Sequence, residues 1–191
     1  MSRKPASRVS VPPSFFPKLM LPFFLPAILT LVLMFTVGES WPRNIAPGSG
    51  LKLWGFGATA VTALLAWRYA IRGIADPRAH KMAAAVCGVV GLMGWPIWSI
   101  GILPSINGVS LGPAETVRMT LERTETSQES RRRRLNHWAY LAPANPDAPV
   151  GAGRYFIAED VHDDWNSRRP RSVSLTTAEG LLGAQVVTAF E

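Results

Sequence analysis

The chain has 191 residues and a formal net charge of +7, but these averages combine two unlike halves. Residues 1–104 contain three long apolar runs, whereas residues 105–191 carry ten arginines and eleven carboxylates and are close to neutral. Because the basic excess lies around the apolar runs, it does not indicate a nucleic-acid partner. The single cysteine, Cys87, excludes an intramolecular disulfide and a metal site built from several cysteines.

The N-terminal segment and the first apolar run predict a leader followed by a membrane span. Residues 1–18 are basic and rich in proline and serine, which is typical of a flexible segment. Residues 19–38 are twenty uncharged residues, and a helix of that length spans about 30 Å. A cleaved signal peptide is the alternative interpretation of this run, but no small-x-small cleavage motif follows it.

The second apolar run predicts a shorter helix over residues 51–71. Only fifteen residues separate Lys52 from Arg68, so a full span requires both side chains to extend toward the membrane surfaces. A re-entrant or interfacial helix is the alternative. Small side chains recur at three- and four-residue spacing and predict a seam that faces another helix. They are Gly55, Thr59, Thr62, Ala66 and Ala70.

The third apolar run predicts a helix over residues 82–103 that carries no charged side chain. Ala84, Gly88 and Gly91 give this helix a second close-packing face. Pro96 removes one backbone hydrogen bond near the far end, so we expect a kink or a helix end there. We expect Cys87 to pack as a small apolar side chain.

Residues at the ends of the runs are predicted to mark the membrane–water interfaces. An indole ring is apolar but carries one N–H donor, which suits the headgroup level. Arg68 lies one turn from the end of its run, and no run contains an acidic partner, which argues against an ion path or a proton relay. The predicted interface residues are Trp41, Trp54, Arg68, Trp95 and Trp98.

The distribution of lysine and arginine predicts the orientation. Eight basic residues lie in the N-terminal segment and the second loop, and two lie in the first loop. The positive-inside rule therefore predicts a cytoplasmic N-terminus and a periplasmic C-terminal domain in a bacterial inner membrane.

Residues 105–191 are predicted to form a small, mostly antiparallel β domain with five short strands. Val117, Met119 and Leu121 alternate with polar residues, which is the period of a half-buried strand. Residues 136–142 are predicted to pair with this strand as a hairpin. Further strands are predicted at 154–158, 171–177 and 183–190, with a short helix over 159–167 whose Val161 and Trp165 face inward.

Two polar clusters in this domain are candidate binding sites. The hairpin tip is a candidate contact for an acidic partner or for lipid headgroups, although four arginines also suit a solvated turn; they are Arg131, Arg132, Arg133 and Arg134. An acidic cluster could hold a divalent cation, but its spacing fits no standard calcium or zinc loop and also suits the start of a helix. Its members are Glu159, Asp160, His162, Asp163 and Asp164.

The sequence contains no catalytic or phosphate-binding motif, and it predicts no cofactor, no metal site and no small-molecule substrate. The first hypothesis is a non-catalytic accessory, assembly or stabilising subunit of a larger inner-membrane complex, with the lipid bilayer and other subunits as partners. The second is a membrane-anchored periplasmic sensing or binding module of envelope maintenance or transport. A membrane-bound hydrolase is a third alternative. The first is favoured because helices without a buried polar pair form no conduit.

Overall fold

The computed structural model describes residues 12–37, 44–128 and 135–191. The chain divides into two compact units. The first takes in the chain up to Val32 together with Leu53–Ile102, and the second consists of Leu33–Lys52 and Leu103–Glu191. The loop between the first two long helices therefore belongs with the C-terminal domain. Trp41 and the four arginines of the hairpin tip lie outside the described residues.

Three long helices make up most of the first unit: α1 (Phe15–Val37), α2 (Leu51–Ala70) and α3 (Pro77–Pro96). The carboxylate of Asp76 accepts a hydrogen bond from the Arg78 amide and caps α3, whose first residue is proline. After Pro96 the helix continues as a π-helical segment, Ile97–Ile102. It is followed directly by the short helix α4, Leu103–Asn107. The helix thus changes its hydrogen-bonding pattern at the predicted proline.

Two helical segments of the described chain are long and apolar enough to cross a membrane, Phe15–Leu33 and Pro77–Asn107. The predicted three spans are therefore supported for two helices. The helix α2 has 20 residues, but its glycines, alanines and threonines and its two charged residues lower its hydropathy. Large apolar side chains are exposed along these helices, which is compatible with a lipid environment; they include Phe35, Leu53, Val61, Leu92 and Met93.

The second unit is built on a five-stranded, fully antiparallel sheet. Its strands are β1 (Leu111–Gln128), β2 (Leu135–Pro143), β3 (Gly153–Ile157), β4 (Ser172–Gly180) and β5 (Gln185–Phe190), in the order β3-β2-β1-β4-β5. The long central strand β1 pairs with β2 on one side and β4 on the other. The prediction of an antiparallel β domain is confirmed, and the sheet is a half-barrel.

The core of this unit lies between the sheet and helix α5 (Glu159–Arg168). Val117 and Met119 of β1 point into it, as their alternation predicts, and Trp165 of α5 is buried against Phe190 with the ring centroids 5.9 Å apart. The pairing of β1 shifts register between Leu121 and Arg123. This β-bulge places an extra residue on one strand and redirects the neighbouring side chains.

Candidate functional site

The small-residue face of α2 lies against α3 and the π-helical segment. A Cβ placed on Gly55 would lie 2.7 Å from the Cβ of Ser99, and one placed on Gly91 would lie 3.1 Å from the Cβ of Ala63. The first distance leaves no room for a side chain and the second is tighter than most Cβ contacts, so these glycines allow the helix backbones to approach closely. Thr59 lies between them and is buried, and its hydroxyl donates to the Gly55 carbonyl.

The other predicted packing residues divide between buried and exposed faces. On α2, Ala66 is fully buried and Thr62 is half-buried. On α3 the buried side follows the four-residue repeat Ala79, Ala83, Cys87 and Gly91. By contrast, Ala84 and Gly88 are exposed, and nothing in the described chain lies within 4 Å of a Cβ placed on Gly88. Within the described residues, their face of α3 is therefore exposed.

An apolar groove of about 510 Å³ runs along the outer side of α2 and α3. The groove extends from the exposed Gly88 to the contact between α2 and α3, because Thr59 and Gly91 form part of its wall. Its lining is Phe56, Thr59, Ala60, Ala63, Ala85, Gly88, Val89, Gly91 and Leu92.

Two further contacts of the helical unit were not predicted from the sequence. Gly101 packs directly on the side chain of Thr30 in α1, so α1 also approaches the π-helical segment closely. His80 lies within hydrogen-bond distance of the Ile74 carbonyl, 2.7 Å from Nε2, and the Trp67 indole donates to the His80 carbonyl at 3.3 Å. These bonds fix the turn between α2 and α3. A lone histidine beside a lysine gives no signal of this role.

The predicted interface residues are exposed to different extents. Trp54 near the start of α2 is 72% exposed and Trp95 at the end of α3 is 38% exposed, whereas Trp98 is half-buried. Arg68 is exposed in the last turn of α2, where it shares a shallow surface cleft with Tyr69. Trp54 and Arg68 lie near the ends of α2, whereas Trp95 and Trp98 lie inside the helical segment that continues from Pro77 to Asn107.

The first inter-helix loop is joined to the sheet by backbone hydrogen bonds. Ile45 forms a β-bridge with Val186 of β5. The amide of Ala46 donates to the Gln185 carbonyl at 2.9 Å, and the amide of Val187 donates to the Asn44 carbonyl at 2.7 Å. These bonds satisfy part of the open edge of β5, and Ala46 is buried in the core of the domain.

Asn107 fixes the end of α4 to the turn between β4 and β5. Its side-chain oxygen accepts from the amides of Leu182 at 3.0 Å and Ala184 at 3.3 Å, and its amide group donates to the Ala184 carbonyl at 2.9 Å. Its own carbonyl accepts from the Leu181 amide at 3.0 Å. Gly180 packs directly on this side chain and leaves no room for a Cβ. No pattern in the sequence indicates this role for Asn107.

A polar cleft of about 380 Å³ lies beside the β1 bulge and the end of α5. Three arginines, Arg123, Arg169 and Arg171, line it, together with one carboxylate, Glu122. The remaining lining residues are Leu121, Thr124, Trp165, Asn166 and Pro170. The guanidinium of Arg123 also stacks 3.9 Å from the centre of the Tyr140 ring. No single stretch of the sequence indicates this cleft, because its arginines come from separate elements.

The predicted acidic cluster forms the start of α5. Glu159 and Asp160 lie in its first turn, where carboxylates stabilise the helix dipole. The ring of His162 lies against that of His137, with the centroids 4.6 Å apart and the planes tilted by 49°, and its Nδ1 lies 3.1 Å from the Asp163 carboxylate. Within residues 12–37, 44–128 and 135–191, no three histidine, cysteine, aspartate or glutamate side chains are arranged to hold a metal ion.

Tyr155 is a titratable side chain of the domain with a strongly shifted pKa. It is buried, and burial raises the pKa of its phenol to about 12. The hydroxyl donates to the Gly151 carbonyl at 2.6 Å. This bond holds the loop before β3 against the sheet.

Comparison with known proteins adds no assignment to these sites. No protein-family model, no curated protein and no solved structure matches the chain. The function is inferred from the contacts, burial and charges of the chain itself.

Proposed function

We propose that this protein is a non-catalytic accessory, assembly or stabilising subunit of a larger complex in a bacterial inner membrane. Three membrane-spanning helices anchor it, with the N-terminus in the cytoplasm. The β domain lies on the periplasmic side. A second transmembrane protein packs against the exposed small-residue face of α3.

The main observation that supports this topology is the pairing of Ile45 with Val186. This pairing requires the first loop and the β domain to lie on the same side of the membrane. If only α1 and α3 crossed, the loop before α2 and the chain after α3 would lie on opposite sides. A crossing by α2 removes this conflict, so the pairing supports three spans. The basic residues of the N-terminus and the second loop support a cytoplasmic location for both.

Cysteine labelling in spheroplasts tests this topology. Cys87 is buried and is replaced by alanine, and single cysteines are then introduced at Ala75 in the second loop and at Ser167 in α5. We expect a membrane-impermeant maleimide to label position 167 in intact cells and position 75 only after permeabilisation. Labelling of position 75 in intact cells would mean that α2 does not span.

The exposed face of α3 supports a helix partner. In a membrane, helices associate through small residues that allow close backbone contact, because lipid is as apolar as leucine. Ala84 and Gly88 have this spacing and are exposed, and a Cβ placed on Gly88 would have open space around it. The groove beside them has the apolar lining that a transmembrane helix requires.

A native gel after mild-detergent solubilisation tests the subunit hypothesis. We expect the wild-type chain, and a Gly57→Leu control, to migrate in a complex much larger than 20.8 kDa. Gly57 and Gly88 both have open space around them, so leucine at either position leaves the fold intact. Gly88→Leu is expected to release the chain from the complex. Migration of the wild-type chain as a lone 20.8 kDa species would overturn the proposal.

The alternative function, a membrane-anchored periplasmic sensing or binding module, is favoured by a different observation. The arginine-lined cleft beside the β1 bulge has the charge of a ligand site, whereas an assembly subunit does not require one. Saturable binding of a small anion, together with migration as a single chain, would favour this alternative.

A further inference from the structure

We propose that the cleft lined by Arg123, Arg169 and Arg171 binds a phosphate group that carries close to two negative charges. This site goes beyond a packing role in a complex, and it does not depend on where the domain lies relative to the membrane. Its chemistry is shared by a free phosphate ester and by the headgroup of a phosphomonoester lipid.

The first argument is the charge of the lining. Three arginines and one carboxylate residue, Glu122, line the cleft, so the formal charge of its lining residues is +2. In the part of the chain that the structure describes, none of these three guanidinium groups forms an ion pair. A phosphate monoester carries between one and a half and two negative charges at neutral pH, and arginine binds it with two parallel hydrogen bonds.

The second argument is the backbone of Arg169, which is the one non-glycine residue of the described ranges with a positive φ, +49°. Its amide closes the end of α5 by donating to the Trp165 carbonyl at 2.9 Å. Glycine is the usual residue at such a helix end, and a following proline, here Pro170, further disfavours this conformation. An arginine kept in a strained position suggests that its side chain is required there.

The third argument is that the neighbouring arginine has a different environment. Arg168 pairs with Asp164 at 2.8 Å, as i,i+4 partners on the surface of α5. A positive charge that complements the helix C-terminus is therefore already present at Arg168. Arg169 instead lines the cleft, which makes Arg168 a matched control for it.

The fourth argument is the way in which Arg123 is held. The register shift next to it interrupts the regular pairing of β1, and its guanidinium stacks 3.9 Å from the ring centre of Tyr140. Stacking restricts the side chain but leaves the N–H groups at the edge of the guanidinium free to donate. Less side-chain entropy is then lost when an anion binds.

Isothermal titration of the full chain with inorganic phosphate, in neutral detergent and at fixed chloride concentration, tests the site. We expect saturable binding by the wild type that is about tenfold to a hundredfold weaker in Arg169→Gly, because one charge-assisted contact is lost. Arg168→Ala should bind like the wild type. Glu122→Gln should bind more tightly, because it removes the opposing carboxylate of the lining. Glycine is the favoured residue at position 169, so a folding defect would not explain the loss.

A second titration, with short-chain phosphatidic acid in the same detergent, separates the two sources of phosphate. Tighter binding of the lipid than of inorganic phosphate, with the same dependence on Arg169, identifies a headgroup site. Comparable binding of the two identifies a site for free phosphate esters. The proposal is overturned if neither probe binds, or if Arg168→Ala and Arg169→Gly weaken binding equally. Neither result affects the membrane topology or the gel migration that test the subunit function.

Discussion

Replacement of Asn107 by alanine should destabilise the β domain more than replacement of any exposed asparagine. The Asn107 side chain is fully buried and forms three hydrogen bonds to the backbone of the β4–β5 turn. Alanine cannot form them and leaves a cavity. The amide of Ala184 would remain buried without a partner, whereas the Leu182 amide is partly accessible to water. The Ala184 carbonyl would still accept from the Gly180 amide at 2.9 Å.

The expected loss of stability can be estimated from these contacts. A buried polar group left without a partner costs about 1–3 kcal/mol, and a partly accessible one costs about 0.5–1.5 kcal/mol. One buried group and one partly accessible group together give about 1.5–4.5 kcal/mol for Asn107→Ala. Because folded domains are stable by only about 5–15 kcal/mol, this is a large part of the total.

Asn145 provides the control. Its side-chain oxygen accepts a single exposed hydrogen bond, from the Asp147 amide at 3.1 Å. Asn145→Ala should therefore cost no more than about 1 kcal/mol. Hydrogen exchange of the full-length protein in detergent measures both effects, through the protection of the amides of Leu182 and Ala184 and of the β4–β5 strands. Equal protection in the two variants would refute the reasoning.

Two further predictions concern packing and pH. Gly55→Val should lower the thermal stability of the helical unit by about 1–3 kcal/mol, because its Cβ would overlap Ser99, whereas Gly57→Val should have little effect in open space. Differential scanning fluorimetry in detergent compares the two, and equal melting temperatures would contradict the close approach. The stability of the β domain should fall between pH 10 and 12. In the unfolded chain the phenol of Tyr155 loses its proton near pH 10, whereas burial keeps its pKa in the folded domain at about 12. The expected loss is about 2–3 kcal/mol, and denaturant titrations across this range should show a smaller pH dependence in Tyr155→Phe.

Local patterns predicted the secondary structure well. Alternation placed Val117 and Met119 in the core, and helical spacing placed Trp165 of α5 against the sheet. The helix boundaries moved by a few residues, because the cap at Asp76 starts α3 before its apolar run begins. Such features depend on neighbours within one or two turns, and the sequence displays them directly.

Contacts between distant parts of the chain could not be predicted in the same way. The arginines of the cleft come from β1, from the end of α5 and from the residues that precede β4, and their proximity depends on the register of the sheet. The role of Asn107 depends on a turn that lies 75 to 77 residues further along the chain. The small-residue stripe predicted that helices approach closely, but it could not distinguish the buried side of α3, with Cys87, from the exposed side, with Gly88.

The composition of the C-terminal half suggested a separate tail that begins after the third apolar run, but the domain also includes the first inter-helix loop. Ala46 is part of its core, and the bridge from Ile45 to Val186 covers the edge of β5 with residues that precede α2. An uncovered edge strand is open to pairing with other chains, so the loop protects the domain from aggregation. The bridge joins residues 141 positions apart in the chain, and contacts between such distant residues slow folding. The domain can be completed only after α2 and α3, the helices between its two parts, have been synthesised.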